Sequence, residues 1–133
     1  MKAVLMSLAI FIAFGFSFLK INSGGTPWIA PPEANKFTNP LKGNAVAIEE
    51  GKILFTKICA VCHGDKGKGD GIGSIGLPVK PGNFTSTKTQ SQTDGALFWK
   101  LSEGRPPMAS YKTSLSVTQR WQLVNYLRTF KKK

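Results

Sequence analysis

Cys59, Cys62 and His63 are the residues of this chain best placed to do chemistry. They form the run Cys59-Ala60-Val61-Cys62-His63, and the chain holds no other Cys or His. Two thiols three residues apart at the end of a helix reach one edge of a planar macrocycle, while the next side chain is carried beneath its centre. This is the C-x-x-C-H spacing of covalent haem attachment, in which the thiols add to porphyrin vinyl groups and the imidazole ligates iron. Random placement of the same three residues would produce the run roughly once in ten thousand arrangements, so chance is a poor explanation. A thiol-disulfide centre would open a helix after a strand, whereas this pair closes a helical pattern and precedes glycines. A zinc site would need a fourth ligand, usually another Cys or His, and there is none.

A haem iron in an electron carrier takes a sixth ligand. His63 is the sole His, so a second imidazole from this chain is excluded. Met108 is the only Met beyond the apolar N-terminal segment and lies 45 residues past His63, in Arg105-Pro106-Pro107-Met108-Ala109-Ser110-Tyr111. A Met flanked by Pro-Pro belongs to no apolar helical stripe, which favours a ligand over a core filler. A thioether stabilises the reduced iron, and a filled sixth position keeps out oxygen and peroxide. That suits electron transfer and disfavours catalysis, so no small-molecule substrate is expected. An unbound Met108 would instead leave iron open to a gas or to peroxide.

These residues must be positioned by helices. From Asn44 as N-cap, Ile48, Gly51, Phe55 and Ile58 recur at three- and four-residue steps and predict a first helix running into the Cys pair. Asp94 as N-cap, Leu97, Phe98 and Leu101, with Gly104 just past the end, predict a middle helix. Ser116 with Gln119 forms a capping box before Trp121, Val124 and Leu127, flanked by Leu123, Tyr126 and Phe130, which outline a last helix. Residues 64–93 between the first two helices have no period, hold seven of the 14 glycines, and must wrap around something. Within them Gly71, Gly73 and Gly76 fit G-x-G-x-x-G without a preceding strand. Asp65 to Gly71 likewise lacks the alternating acids of a calcium loop.

The 133 residues leave room for one folded domain. Residues 1–20 open with Lys2 and then run apolar from Ala3 to Leu19, which predicts an exported protein, periplasmic and either soluble or tethered to the cytoplasmic membrane. As a helix the run would span roughly 26 Å against a ~30 Å hydrocarbon core, leaving a cleaved signal peptide and an uncleaved anchor both open. Residues 21–44, rich in Gly and Pro, read as a linker, with Trp28, Ile29 and Phe37 as the side chains expected to pack. Residues 45–130 are the folded unit, and 131–133 a basic tail. The net charge is +11, falling to +9 if Lys2 and Lys20 are removed. Lys57, Lys66, Lys68, Lys80, Lys100 and Lys112 fall in elements expected near the haem, which predicts attraction to a redox protein with an acidic docking surface. Nucleic acid is a poor fit to an exported haem domain.

Residues 45–130 resemble a class I c-type cytochrome, monohaem and similar to bacterial respiratory c-type cytochromes. Gly51 and Phe55 stand eight and four residues before the first haem Cys, as in that family, and Leu123 with Tyr126 match the helix that crosses there. Cys62-His63-Gly64 with Gly67, Gly69, Asp70 and Gly71, then Phe98-Trp99 and Met108, extend the likeness. The resemblance implies a small all-α cytochrome c-like domain wrapped around one covalent haem c. It implies attachment through Cys59 and Cys62, with His63 and Met108 as axial ligands. It further implies that a loop carbonyl accepts the Nδ1 proton of His63, with Leu77 or Pro78 as candidates, and that Arg105, Trp99 and Asn83 are candidate propionate donors. The implied role is a one-electron carrier, not an enzyme, with a haem subunit of a larger dehydrogenase or oxidase as the alternative. About 86 residues with a long Gly-rich loop bury little unaided, so the apoprotein is expected to be poorly folded.

Overall fold

The computed structural model describes residues 26–132. The export or anchor segment expected at residues 1–20 lies outside them. Among the described residues no helix is long and apolar enough to cross a membrane. The elements are helical throughout, with one isolated bridge between Arg105 and Met108.

Helix α1 (Ala45–Leu54) starts where Asn44 Oδ1 accepts the Ala47 N–H at 3.0 Å. It continues through a π-helical turn (Phe55–Cys59) into the short α2 (Ala60–His63), so one helical run delivers the Cys pair and His63 at its end. A short α3 (Thr87–Gln90) is capped by Ser86, and α4 (Asp94–Glu103) ends at Gly104. Helix α5 (Val117–Thr129) carries both bonds of its capping box: the Gln119 N–H donates to Ser116 Oγ at 3.1 Å, and the Ser116 N–H donates to Gln119 Oε1 at 2.9 Å.

The most extensive pairing is α1 with α5. Gly51 makes it close: a Cβ there would strike the Gln122 carbonyl and stand 3.0 Å from the Tyr126 Cβ. Phe55 fills the flank, wholly buried, with ring centroids 5.2 Å from Tyr126 and 5.3 Å from Phe130. Leu123, Val124, Leu127, Trp121, Leu97 and Leu101 complete the core, which also includes Cys59.

Two local expectations are corrected. The N-cap of α4 is Thr93, whose Oγ1 accepts the Ala96 N–H at 3.0 Å, and not Asp94. The Asp94 carboxylate is engaged elsewhere, accepting from Arg128 Nε at 2.7 Å and Asn39 Nδ2 at 2.9 Å. The second half of the stretch read as linker packs onto α4. Ala30 and Ala34 are buried with Ala96, and Gly95 lies so near the Ala34 carbonyl that a Cβ would not fit. Asn39 is buried and bonds Asn125 as well as Asp94, while Asn125 Nδ2 donates to the Leu41 carbonyl at 2.9 Å. Of the three side chains expected to pack, Trp28 lies beneath Lys100 and Arg105, and Phe37 meets Phe98 edge-on at 6.2 Å. Ile29 is 78% exposed.

Candidate functional site

The π-helical turn ends on the first Cys of the pair, and such turns are frequent at functional sites. Cys59 points into the core and Cys62 is half-buried, and both are free thiols. Burial, and then the neighbouring Cys62, push the Cys59 thiol up to about 12. A thiol-disulfide centre needs the opposite, a depressed first thiol, so the environment suits a neutral sulfur such as a thioether.

After His63 the chain folds back on the pentapeptide. The Gly69 N–H donates to the His63 carbonyl at 2.7 Å, and the Gly71 N–H to the Cys62 carbonyl at 3.1 Å. The Phe84 N–H then closes the loop on the Gly67 carbonyl at 2.7 Å. This brings the Gly82 carbonyl 3.0 Å from His63 Nδ1 and stacks the Phe84 ring on the imidazole, centroids 4.5 Å apart. The carbonyl is therefore that of Gly82, and neither Leu77 nor Pro78. The reason is that the closure at Phe84, and not the earlier prolines, sets which backbone crosses the ring. Burial lowers the His63 pKa, an effect partly offset by the Gly82 bond. A neutral imidazole with Nδ1 occupied presents its Nε2 lone pair to a metal.

Met108 is half-buried. It packs against the same apolar cluster as Cys59, alongside Tyr111, Phe98 and Phe84. The Tyr111 hydroxyl is raised by burial first, and then by Cys59 and Cys62, so this loop lies within electrostatic reach of both thiols. Phe98 stacks on Trp121 at 4.0 Å and carries the buried Arg120 guanidinium 4.8 Å from its centroid. Arg120 donates to Ser102 Oγ, while its Nε has no partner among the described residues.

These residues fit a covalent haem. Two cysteine sulfurs and an oriented imidazole share one helix end, and the Met108 thioether packs against the same apolar cluster as Cys59. Val61, Ile72, Ile75 and Val79 are apolar yet 41–80% exposed. Among the described residues no three His, Cys, Asp or Glu side chains converge as a metal site. Two hollows, about 530 and 380 Å³, share Lys42, Asp94 and Arg128 and include none of these residues. They belong to the polar junction of α4 and α5, not to this chemistry.

The propionate candidates have protein partners of their own. Arg105 donates to the Thr26 carbonyl, Trp99 packs against the Ala30, Ala34 and Ala96 cluster, and Asn83 Oδ1 accepts from the Thr85 N–H and hydroxyl. Phe84, Gly82, Tyr111 and Arg120 were not singled out from the sequence. Phe84 carried a signal, being the one aromatic residue in 64–93.

No curated protein matches the chain. It is similar to a chain of the Kuenenia stuttgartiensis reducing HAO-like protein complex Kustc0457/Kustc0458, at 30% identity and TM-score 0.62 over 70% of this chain. It spans about half of that protein's length, 47%. It is also similar to the KustC0563 c-type cytochrome, at 28% identity and TM-score 0.53, over 62% of this chain and 98% of the other. The cytochrome c family model matches residues 48–131, from within α1 to just past the end of α5. The chain therefore belongs to the cytochrome c family, and its cofactor is a covalently bound c-type haem with iron.

Proposed function

We propose that the chain is a one-electron carrier with a single haem c joined through Cys59 and Cys62, axially ligated by His63 and Met108. The haem, when bound, supplies the reversible one-electron couple of its iron. The chain supplies geometry. Gly82 and Phe84 hold the His63 ring in one plane and one tautomer, so its ligating nitrogen need not reorganise when charge changes. The Arg105–Met108 loop presents the thioether, and the core from Phe55 to Leu127 excludes water from one side. The observation that carries this reading is the joint placement of a neutral Cys59, a half-buried Cys62 and a His63 whose Nδ1 is already taken.

Lys57, Lys66, Lys68 and Lys80 are exposed and make no ion pair among the described residues. Lys112 is paired with Glu103 at 3.0 Å, and Lys100 lies over Trp28. The first four are thus the charges available to steer an acidic redox partner. The apolar run at residues 3–19 supports export to the periplasm, either free or tethered to the membrane. A second reading, a haem subunit within a larger redox assembly, is favoured by the likeness to a chain of a multi-protein complex.

A pyridine haemochrome spectrum of protein made with cytochrome c maturation factors tests attachment. Colour that survives acid-acetone extraction and shows two-thioether haem supports the proposal, and extractable pigment defeats it. Carbon monoxide tests ligation, because a reduced protein with Met108 bound resists it. Copurification of wild-type protein with stoichiometric partner chains selects the second reading.

A further inference from the structure

We propose that Arg105 is a positioning residue for Met108 and that Trp28 holds Arg105 in place, so that the segment before the helical domain clamps the loop presenting the thioether. This rests on the ligation by Met108 proposed above.

The loop's return limb is fastened to α4. Ser110 Oγ donates to the Ser102 carbonyl at 2.6 Å, and the Tyr111 N–H donates to the Leu101 carbonyl at 3.1 Å. Its outgoing limb begins at Gly104, where φ is +66° and a Cβ would stand 2.5 Å from the Ser110 nitrogen. From there Pro106 and Pro107 are exposed and offer no N–H. What fixes Met108 is its pairing with Arg105: the Arg105 N–H donates to the Met108 carbonyl at 3.1 Å, and the Met108 N–H to the Arg105 carbonyl at 2.9 Å. The Met108 backbone therefore goes where that of Arg105 goes.

Arg105 is anchored away from α4. Its Nη1 donates to the Thr26 carbonyl at 2.9 Å, across 79 residues of sequence, and its guanidinium carbon lies 5.1 Å from the Trp28 ring centroid. Lys100 Nζ shares that ring at 5.6 Å and is held by Gln92 Oε1 at 2.5 Å. Two cations on one indole repel each other, and burial followed by Arg105 lowers the Lys100 pKa accordingly. The segment cannot drift, because Ala30 and Ala34 are buried on α4 and Thr93 Oγ1 donates to Asn35 Oδ1 at 2.7 Å. A neutral thioether is a weak ligand, so the time it spends on iron depends on how little its loop must be ordered to bring it there.

The test uses full-length holoprotein in the reduced state and reads carbon monoxide affinity together with amide exchange at the Met108 N–H. Carbon monoxide binds only the fraction with Met108 released, so its apparent affinity rises in proportion to that fraction. Trp28→Ala and Arg105→Gln should each raise apparent affinity by about tenfold and speed exchange at Met108, while Trp28→Phe should recover most of the wild-type behaviour. Asn44→Ala removes the N-cap of α1 and so loosens the fold without touching Trp28, Arg105 or the segment's anchors, and should leave both readouts near wild type. Met108→Ala is the reference. If it does not raise carbon monoxide binding, the ligation itself is refuted. If it does, while Arg105→Gln and Trp28→Ala bind like wild type or Asn44→Ala matches them, the clamp is refuted.

Discussion

The imidazole of His63 lies flat against the ring of Phe84, centroids 4.5 Å apart and planes 24° from parallel, with the Gly82 carbonyl 3.0 Å from Nδ1. One three-residue stretch thus fixes both the plane and the tautomer of the candidate axial ligand. Phe84 also meets Phe55 at 6.0 Å and Phe130 at 6.2 Å, so the imidazole is braced against the α1–α5 contact itself. Phe84→Ala should destabilise the haem-loaded protein by about 2 kcal/mol, below the range for a fully buried Phe because this one is half-buried. Urea unfolding measures the loss. Phe84→Leu should recover over half of it.

Gly51 and Gly82 make a matched pair for the same substitution. A methyl at Gly51 meets the Gln122 carbonyl and the Tyr126 Cβ, so Gly51→Ala must push α1 from α5 and should cost about 2–3 kcal/mol, read as a lowered urea midpoint. A methyl at Gly82 meets nothing within 4 Å, and its bond to His63 uses a backbone oxygen that any residue supplies. Gly82→Ala should therefore leave the midpoint and the haem spectrum unchanged.

What could be read from the sequence was what local spacing encodes. The Cys59 to His63 run, the Gly51 and Phe55 face, and the Ser116 and Gln119 box each depend on residues within a turn or two of one another, and the structure places them as read. The Leu123 and Tyr126 match was legible because a helix crossing needs a small residue opposite large ones. Within residues 26–41 Trp28 and Phe37 stood out as side chains to pack, but the seating of Ala30, Ala34 and Asn39 was not legible. Ala30 and Ala34 make no stripe, and the partners of Asn39 lie 55 and 86 residues away. The choice of Gly82 was hidden for another reason: a carbonyl carries no residue identity. The one-residue shift of the α4 cap, from Asp94 to Thr93, followed from Arg128, which no local pattern connects to it.

Asn39 is the test of whether residues before α1 belong to the fold. Its side chain joins Asp94, Asn125 and, through Oδ1, the Leu41 N–H at 3.0 Å. Asn39→Ala leaves the buried Asn125 Oδ1 without that donor and should cost about 1–2 kcal/mol. A free linker would tolerate the change, and an unchanged melting temperature would mean that this junction contributes nothing.

Lys100 gives the fold an alkaline signature. Its pKa is lowered from 10.5 by burial and then by Arg105 and Lys88, so the folded chain sheds this proton at a lower pH than the unfolded chain does. Wherever the unfolded state binds more protons, stability rises with pH. The contribution of Lys100 is therefore a cost at neutral pH that is relieved as pH climbs from its folded pKa towards 10.5. Tyr111 and Tyr126 act in the opposite sense: their pKa values are raised from 10.0, so the folded state keeps protons longer and stability falls as pH passes 10.0. Their opposing slopes partly mask Lys100 in the wild type, and the comparison that isolates it is Lys100→Met. The variant should be the more stable of the two at neutral pH, because the methionine stem still covers Trp28 without placing a second cation beside Arg105. Its advantage should shrink steadily as the wild type approaches pH 10.5. Parallel stability curves across that range would show that Lys100 keeps its proton over Trp28 as easily as in the unfolded chain.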